Sequence, residues 1–270
     1  MKERLDVLLV NLGYFADVKE AASNIMLGNV LVNEIKIDKA GTLIKVDKKL
    51  DIRIKRKKEK YVSRGGLKLE KAIKEFNLDF MGAIVLDIGA STGGFTHCAL
   101  EYGAREVYAV DVGTNQLHWE LRNNSKVKSI ENMHINNLEL TNINEKKIDY
   151  ITIDVSFISL KSIINSVKKF VSNNTKLIML IKPQFEAEKK EIEKGGIVKK
   201  IHIHEKVIHD IIILCENLGI YIENLDFSPI KGAKGNIEYI SLFSSNSNNK
   251  QEINIRKVVE TAKILGGKDD

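Results

Sequence analysis

The sequence predicts an α/β protein: a doubly wound, mostly parallel sheet preceded by a small α+β unit. Three observations carry this. From Ala83 onward, short apolar runs alternate with longer amphipathic ones, the pattern of strands and crossover helices. The first run, Val85-Leu-Asp-Ile88, enters a glycine-rich turn at Gly89 to Gly94, and a helix-like stretch follows. The excess of positive charge is confined to the front of the chain: residues 1–80 hold 18 Lys and Arg against 12 Asp and Glu, and the other 190 residues hold 24 of each.

The front unit is built from short elements. Arg4 to Val10 reads as a helix start with Leu5, Leu8 and Leu9 on one face. Asp17 caps a second helix, Val18 to Met26, which Gly28 ends. Val30 to Asn33 is a strand, Glu34-Ile-Lys36 a turn, and Thr42 to Val46 and Leu50 to Ile54 are further strands. The charged run from Arg53 to Lys60 closes the unit. The domain reading is 1–58, a linker at 59–63, a second domain at 64–246, and a polar segment with a terminal helix at 247–270, the polar part (Ser244 to Lys250) expected to be mobile.

In the second domain Leu67 to Phe76 is an amphipathic helix. The predicted strands are Ala83–Ile88, Glu106–Asp111, Val127–Glu131, Tyr150–Asp154, Lys176–Ile181, Tyr221–Ser228 and Glu238–Phe243. The predicted long helices are Phe95–Tyr102, Ser159–Phe170 and Ile201–Leu218. Asp87, Asp111 and Asp154 then lie toward the carboxyl edge of the sheet, where ligands bind in such folds.

The turn discriminates between ligands. A dinucleotide fingerprint needs glycine where Ser91 stands, and no Gly-Lys-Ser/Thr of a phosphate loop follows. An acid at Asp87 opposes pyrophosphate and suits a ligand carrying ammonium and sulfonium groups, S-adenosyl-L-methionine. The expected cofactor contacts are Asp87, Gly89, Ala90, Ser91, Thr92, Gly93, Gly94 and Phe95 in the first turn. Asp111 and Val112 follow for the ribose, Asn132 and Met133 for adenine, and Asp154 beside the donor. Asp87 orients either the loop or the ligand's ammonium. Trp119 either covers the cofactor or packs in the core.

Four charged residues stand in unusual places. Lys68 follows Ser63-Arg-Gly-Gly66, Asp154 and Lys182 end buried strands, and Glu238 opens the last strand. Such charges are costly unless paired. They suit either a structural ion-pair cluster at the sheet edge or a catalytic set beside the methyl donor; which lysine is neutral stays open. No metal-ligand spacing occurs, and Cys98 and Cys215 are far apart. No apolar run reaches the ~20 residues of a membrane span.

Two resemblances follow. Arg4-Leu-Asp6 with Leu8, the helix Lys19 to Met26 and Gly28-Asn-Val-Leu-Val-Asn33 resemble the S4 RNA-binding domain. That implies a basic face holding RNA, with Arg4, Lys19, Arg53, Lys55, Arg56 and Arg64 as candidates. The segments Ser63-Arg-Gly-Gly-Leu-Lys68, Asp87 to Phe95, Asp111 to Leu117, Asp154 to Ser159, Ile181-Lys-Pro-Gln-Phe-Glu186 and Gly235-Asn-Ile-Glu-Tyr239 resemble the Rossmann-like FtsJ-type methyltransferases. With the front unit they resemble the TlyA (haemolysin-A-like) family. The resemblance implies a catalytic Lys68, Asp154, Lys182 and Glu238, and 2′-O-methylation of cytidine in ribosomal RNA, the large subunit ahead of the small. It also implies a cytoplasmic protein partnered by ribosomal subunits and not by membrane, with a monomer as the working expectation. The competing expectations are a non-catalytic ribosome-assembly factor, a base methylase and a membrane-lytic protein.

Overall fold

The computed structural model describes residues 2–47, 49–54 and 60–265, which fall into two units, Met1–Glu59 and Lys60–Asp270. The first contains β1 (Lys2–Arg4), α1 (Leu5–Asn11), α2 (Val18–Met26), β2 (Val30–Val32), β3 (Ile35–Ile37), β4 (Leu43–Lys45) and β5 (Ile52–Ile54). Asp17 caps α2 by accepting from the Glu20 amide at 2.8 Å. Leu5 and Leu9 of α1 and Ala21 and Ile25 of α2 bury against Val30 and Val32. β1 pairs with β4, and β2 lies between β3 and β5.

One expectation is corrected here. Glu34-Ile-Lys36 is not a turn. The turn is Asn33-Glu34, both with positive φ (51° and 64°), and Ile35 already pairs with Val32. A two-residue turn of this hand matches the twist of a hairpin, and asparagine tolerates its first position.

The second unit contains α3 (Gly66–Glu75), β6 (Ile84–Ile88), α4 (Gly94–Glu101), β7 (Glu106–Val110), α5 (Trp119–Arg122), β8 (Val127–Ile130), β9 (Tyr150–Ile153), α6 (Ile164–Lys168), β10 (Lys176–Ile181), α7 (Pro183–Glu186), α8 (Ile201–Asn217), β11 (Tyr221–Phe227), β12 (Tyr239–Ser244) and α9 (Ile255–Leu265). The strands form one sheet, β11-β12-β10-β9-β6-β7-β8, in which β12 alone is antiparallel to its neighbours. Its two faces bury separate apolar layers. Leu86, Tyr108, Ile151 and Met179 point to one, and Val85, Val107, Ile178 and Leu180 to the other. The chain winds outward from β6 to β8 and returns to β9 on the other side of β6, so loops diverge there and open a crevice.

The long helix expected at Ser159–Phe170 is broken. Leu160–Ser162 is a 3₁₀ turn, and α6 spans only Ile164–Lys168. Ser159 and Glu186 supply the cause. Ser159 Oγ accepts from the Lys161 amide at 3.1 Å, and the Glu186 carboxylate takes the Leu160 amide at 2.7 Å. With those donors satisfied by side chains, the segment tightens into a turn. The polar stretch Ser244 to Lys250, expected to be mobile, is held: Asn249 donates to Glu223 at 2.8 Å and Ser245 to the Ser172 carbonyl at 2.9 Å.

Gly93 has a structural task. Its φ is +95°, and an added Cβ would lie 2.3 Å from Leu121 Cδ1 and 2.8 Å from Leu117 Cδ1. Gly93→Ala is expected to lose about 1–2 kcal/mol to left-handed backbone and about 1–3 kcal/mol to overpacking. A denaturant midpoint unchanged from wild type would refute this account of the turn.

Candidate active site

The carboxyl edge of the sheet gathers the four charged residues because of strand register. Asp154 directly follows β9 and Lys182 directly follows β10. Since β12 runs the other way, its first residue lies where its neighbours end: Tyr239 pairs with Ile181, which puts Glu238 beside Lys182. Lys68 reaches the same place from the first turn of α3, after the tight Ser63–Gly66 segment. Lys68 Nζ lies 2.7 Å from Glu238 Oε2 and 3.4 Å from Asp154 Oδ2, and Lys182 Nζ lies 2.5 Å from Asp154 Oδ1. Gln184 adds a fifth member, donating to Glu238 Oε1 at 3.1 Å.

Burial acts to lower the Lys68 pKa, but the charges of Asp154 and Glu238 outweigh it and hold the ammonium above its ordinary value. Burial likewise acts to raise Asp154, and the two lysines overcome it, so its carboxylate stays ionised. Lys68 is thus a fixed cation. Lys182 contacts one carboxylate and one neutral hydroxyl, Ser156 Oγ at 3.0 Å.

Two cavities meet at this cluster. One, of about 240 Å³, is polar and lined by all four charged residues with Ser63, Arg64 and Gly232. The other, of about 500 Å³, is mostly apolar and lies against Ile88, Val110, Asp111, Val112, Met133 and Ile135. Gly89, Ser91, Asp154 and Ser156 belong to both. The larger volume falls in the range of small-molecule sites.

The turn holds its shape through backbone contacts. Gly89 has φ +80°, and a Cβ there would come within 2.9 Å of the Asp154 carbonyl. Ser91 occupies the left-handed region at φ +50°, and its amide donates to Asp111 Oδ2 at 2.7 Å. Asp111 Oδ1 accepts from the Gly113 amide at 2.8 Å. Asp111 therefore ties two loops together while facing the larger cavity.

The expected cofactor residues divide into three groups. Gly89, Ser91, Asp111, Val112, Met133 and Asp154 line the larger cavity. Ala90, Thr92, Gly94 and Phe95 line the polar one instead. Asp87, Gly93 and Asn132 line neither. Asp87 is buried below the turn and accepts from Thr96 Oγ1 at 2.6 Å and Thr152 Oγ1 at 2.8 Å, so it fixes the loop rather than facing a ligand. Gly93 faces Leu117 and Leu121, and exposed Asn132 supplies a turn with φ +52°. Trp119 lies outside the core and lines neither of these two cavities; it is 66% exposed.

Among the expected RNA contacts, Lys19 is exposed. Arg53 pairs with Glu34 at 3.1 Å. Arg4 grips the buried Asp6 with two nitrogens, at 2.7 and 3.1 Å, which gives it a structural task. Arg64 is exposed and lines the polar cavity. Lys55 and Arg56 lie outside the described residues.

Sequence reasoning missed Ser156, Gln184 and Gly232. Ser156 and Gln184 stand inside quoted motifs, two residues past Asp154 and Lys182, and that spacing was the available signal. Gly232 left less trace: a Cβ there would lie 2.0 Å from Glu238 Oε1, a crowding only the fold creates.

Burial without a cationic partner raises Asp87 from 3.8 to about 6, against the pull of its two threonine hydrogen bonds. A raised carboxyl stabilises the fold fully below its unfolded value, and that contribution is lost as pH rises through about 6. The loss is on the order of 3 kcal/mol. Asp87→Asn is expected to flatten the pH 4–6 limb of the stability curve; an identical limb in the variant would contradict the assignment.

Residues 61–244 match the model of the FtsJ-like methyltransferase family. Hemolysin A of Brachyspira hyodysenteriae is 42% identical over 89% of this chain and 99% of its own. The 16S/23S rRNA (cytidine-2′-O)-methyltransferase TlyA of Mycobacterium tuberculosis is 32% identical over 88% of each chain. A solved Streptococcus thermophilus structure, titled as a candidate hemolysin, is 41% identical, with a TM-score of 0.77 over 98% of this chain and 97% of that one.

Proposed function

The chain belongs to the FtsJ-like methyltransferase family, and on that premise we propose that it transfers a methyl group from S-adenosyl-L-methionine to the 2′-hydroxyl of a cytidine in ribosomal RNA. The observation that carries this reading is the placement of Lys68, Asp154, Lys182 and Glu238 around a small polar cavity that meets a larger apolar one at Asp154. The larger cavity fits the donor: Gly89 gives close backbone approach, Asp111 faces the ribose position, and Met133 supplies an apolar wall. When bound, the donor supplies an electrophilic methyl on a cationic sulfur.

Each charged residue then has a task. The acceptor hydroxyl enters the polar cavity, where Lys182 orients it and takes its proton. Lys68, held protonated by two carboxylates, supplies fixed positive charge beside the developing alkoxide. Asp154 spans both lysines, and Glu238 fixes Lys68. Since the leaving thioether needs no proton, orientation supplies much of the acceleration. In the front unit, Lys19 and Arg53 serve phosphate contact. Support for the ribosomal substrate comes from the name of the tuberculosis relative, which covers both subunits. Against the membrane-lytic alternative, no helix among the described residues is long and apolar enough to cross a membrane.

Lys182→Met keeps the stem volume and removes the proton acceptor. It is expected to lower turnover by about 10²–10⁴-fold on isolated ribosomal subunits given labelled donor. Each subunit is assayed separately, and nucleoside analysis identifies the product. Labelled base instead of 2′-O-methylcytidine, or cofactor binding with no transfer to either subunit, would overturn the reading. Asp111→Asn is expected to weaken donor binding at least about tenfold, the value of a hydrogen bond to a charged group; calorimetry with unchanged affinity would remove Asp111 from the donor site.

A further inference from the structure

The two contacts of Lys182 differ in kind. Asp154 Oδ1 sits 2.5 Å from Nζ as an ion pair, and the same carboxylate also serves Lys68 through its other oxygen. Charge attraction fixes a distance and leaves direction loose. The Ser156 hydroxyl, at 3.0 Å, accepts an aligned hydrogen bond from the same nitrogen. Ser156 also lines both cavities, so it stands where donor and acceptor are to meet.

The backbone around Ser156 is pinned on either side. Upstream, the Asp154 amide donates to the Ile88 carbonyl at 3.1 Å. Downstream, Glu186 takes the Ser159 hydroxyl at 2.5 Å and the Leu160 amide at 2.7 Å. Between them Phe157 adopts φ +65°, a region costly for a bulky side chain, and is 91% exposed. The structure thus bears local strain in a loop that carries an exposed hydroxyl to Lys182. A hydroxyl with no further task would leave this conformation without return.

We propose that Ser156 is a positioning residue for proton removal, aiming the Lys182 nitrogen at the acceptor hydroxyl. This rests on the reading of Lys182 as proton acceptor. Lys182 first gives its ammonium proton to water; the neutral amine that remains has two hydrogens and one lone pair. With one hydrogen directed to Ser156 Oγ and the nitrogen held against Asp154, the lone pair has a restricted range of directions. The proton passes from the acceptor oxygen to Lys182 Nζ as the oxygen–methyl bond forms and the methyl–sulfur bond breaks. Ser156 loses no proton in that step. Its own hydrogen is left to donate toward the seam.

The test uses the full chain, ribosomal subunits and labelled donor. Ser156→Ala is expected to lower kcat about 10- to 100-fold, the rate equivalent of one hydrogen bond to a group that becomes charged as it takes the proton. KM for the subunit and donor affinity by calorimetry are expected to stay within about twofold. Ser156→Thr, which keeps the hydroxyl, is expected to recover most of the rate. The residue is exposed, so truncation leaves the core untouched. Lys182→Met runs in parallel. If it is inactive while Ser156→Ala turns over at the wild-type rate, the positioning role alone is wrong. If Ser156→Ala loses donor affinity in proportion to rate, or threonine restores nothing, the role is also wrong. If Lys182→Met retains wild-type turnover, the underlying reading fails and this inference falls with it.

Discussion

The structure of the second unit turns on the attraction between Lys68 and Lys182 and the carboxylates of Asp154 and Glu238. The four come from α3, the end of β9, the end of β10 and the start of β12, so each is delivered by a different stretch of chain. Their formal charges cancel. Desolvating an ion costs several kcal/mol, and mutual attraction roughly offsets that only while every partner is present. An apolar substitute set would hold the sheet edge as well or better, which makes stability a poor reason for the quartet. Its geometry is the reason that remains: two cations on either side of one carboxylate, at the meeting of a polar and an apolar hollow.

Beneath that edge lies a second polar element of a different kind. Among the described residues Asp87 has two threonine hydroxyls and no cationic partner, and burial drives its carboxyl toward neutrality. It joins β6 to β9 and to α4, the three elements from which the glycine turn is suspended. Asp111 does similar work above, where its two oxygens take amides from separate loops. The turn is held from below and from the side by carboxylates, while its glycines keep the surface open to a ligand. Acidic residues around this crevice are as much its frame as its lining.

Much of this was legible in the sequence. All seven strands of the second unit form within one or two residues of their expected ends, because buried parallel strands write themselves as apolar runs. The four charges were visible because each interrupts or bounds such a run. What escaped depended on contacts between distant segments. The break at Ile163 follows from Glu186 reaching back to Ser159 and Leu160, a pairing no local pattern records. Gly93 looked like a ligand glycine and is one that makes room for Leu117 and Leu121. Asp87's strand position left open whether it orients the loop or a ligand's ammonium, and its side chain faces two threonines. The Asn33-Glu34 turn was missed although asparagine there is a fair signal, since Ile35 and Ile37 alternate too briefly to declare a strand.

The reversed strand β12 has a consequence for how errors in folding are handled. Side chains along a strand alternate between faces, so slipping β12 by one residue against β10 would exchange Glu238 with Tyr239. Tyr239 is wholly buried, with its hydroxyl on His204 Nδ1 at 2.8 Å, and His204 is itself anchored on the Val198 carbonyl. A slipped strand would take from that imidazole its Nδ1 partner and force a carboxylate into the apolar layer. The position of Glu238 at the sheet edge is thereby tied to the core: a chain misaligned at Glu238 is also one in which Tyr239 leaves its buried place.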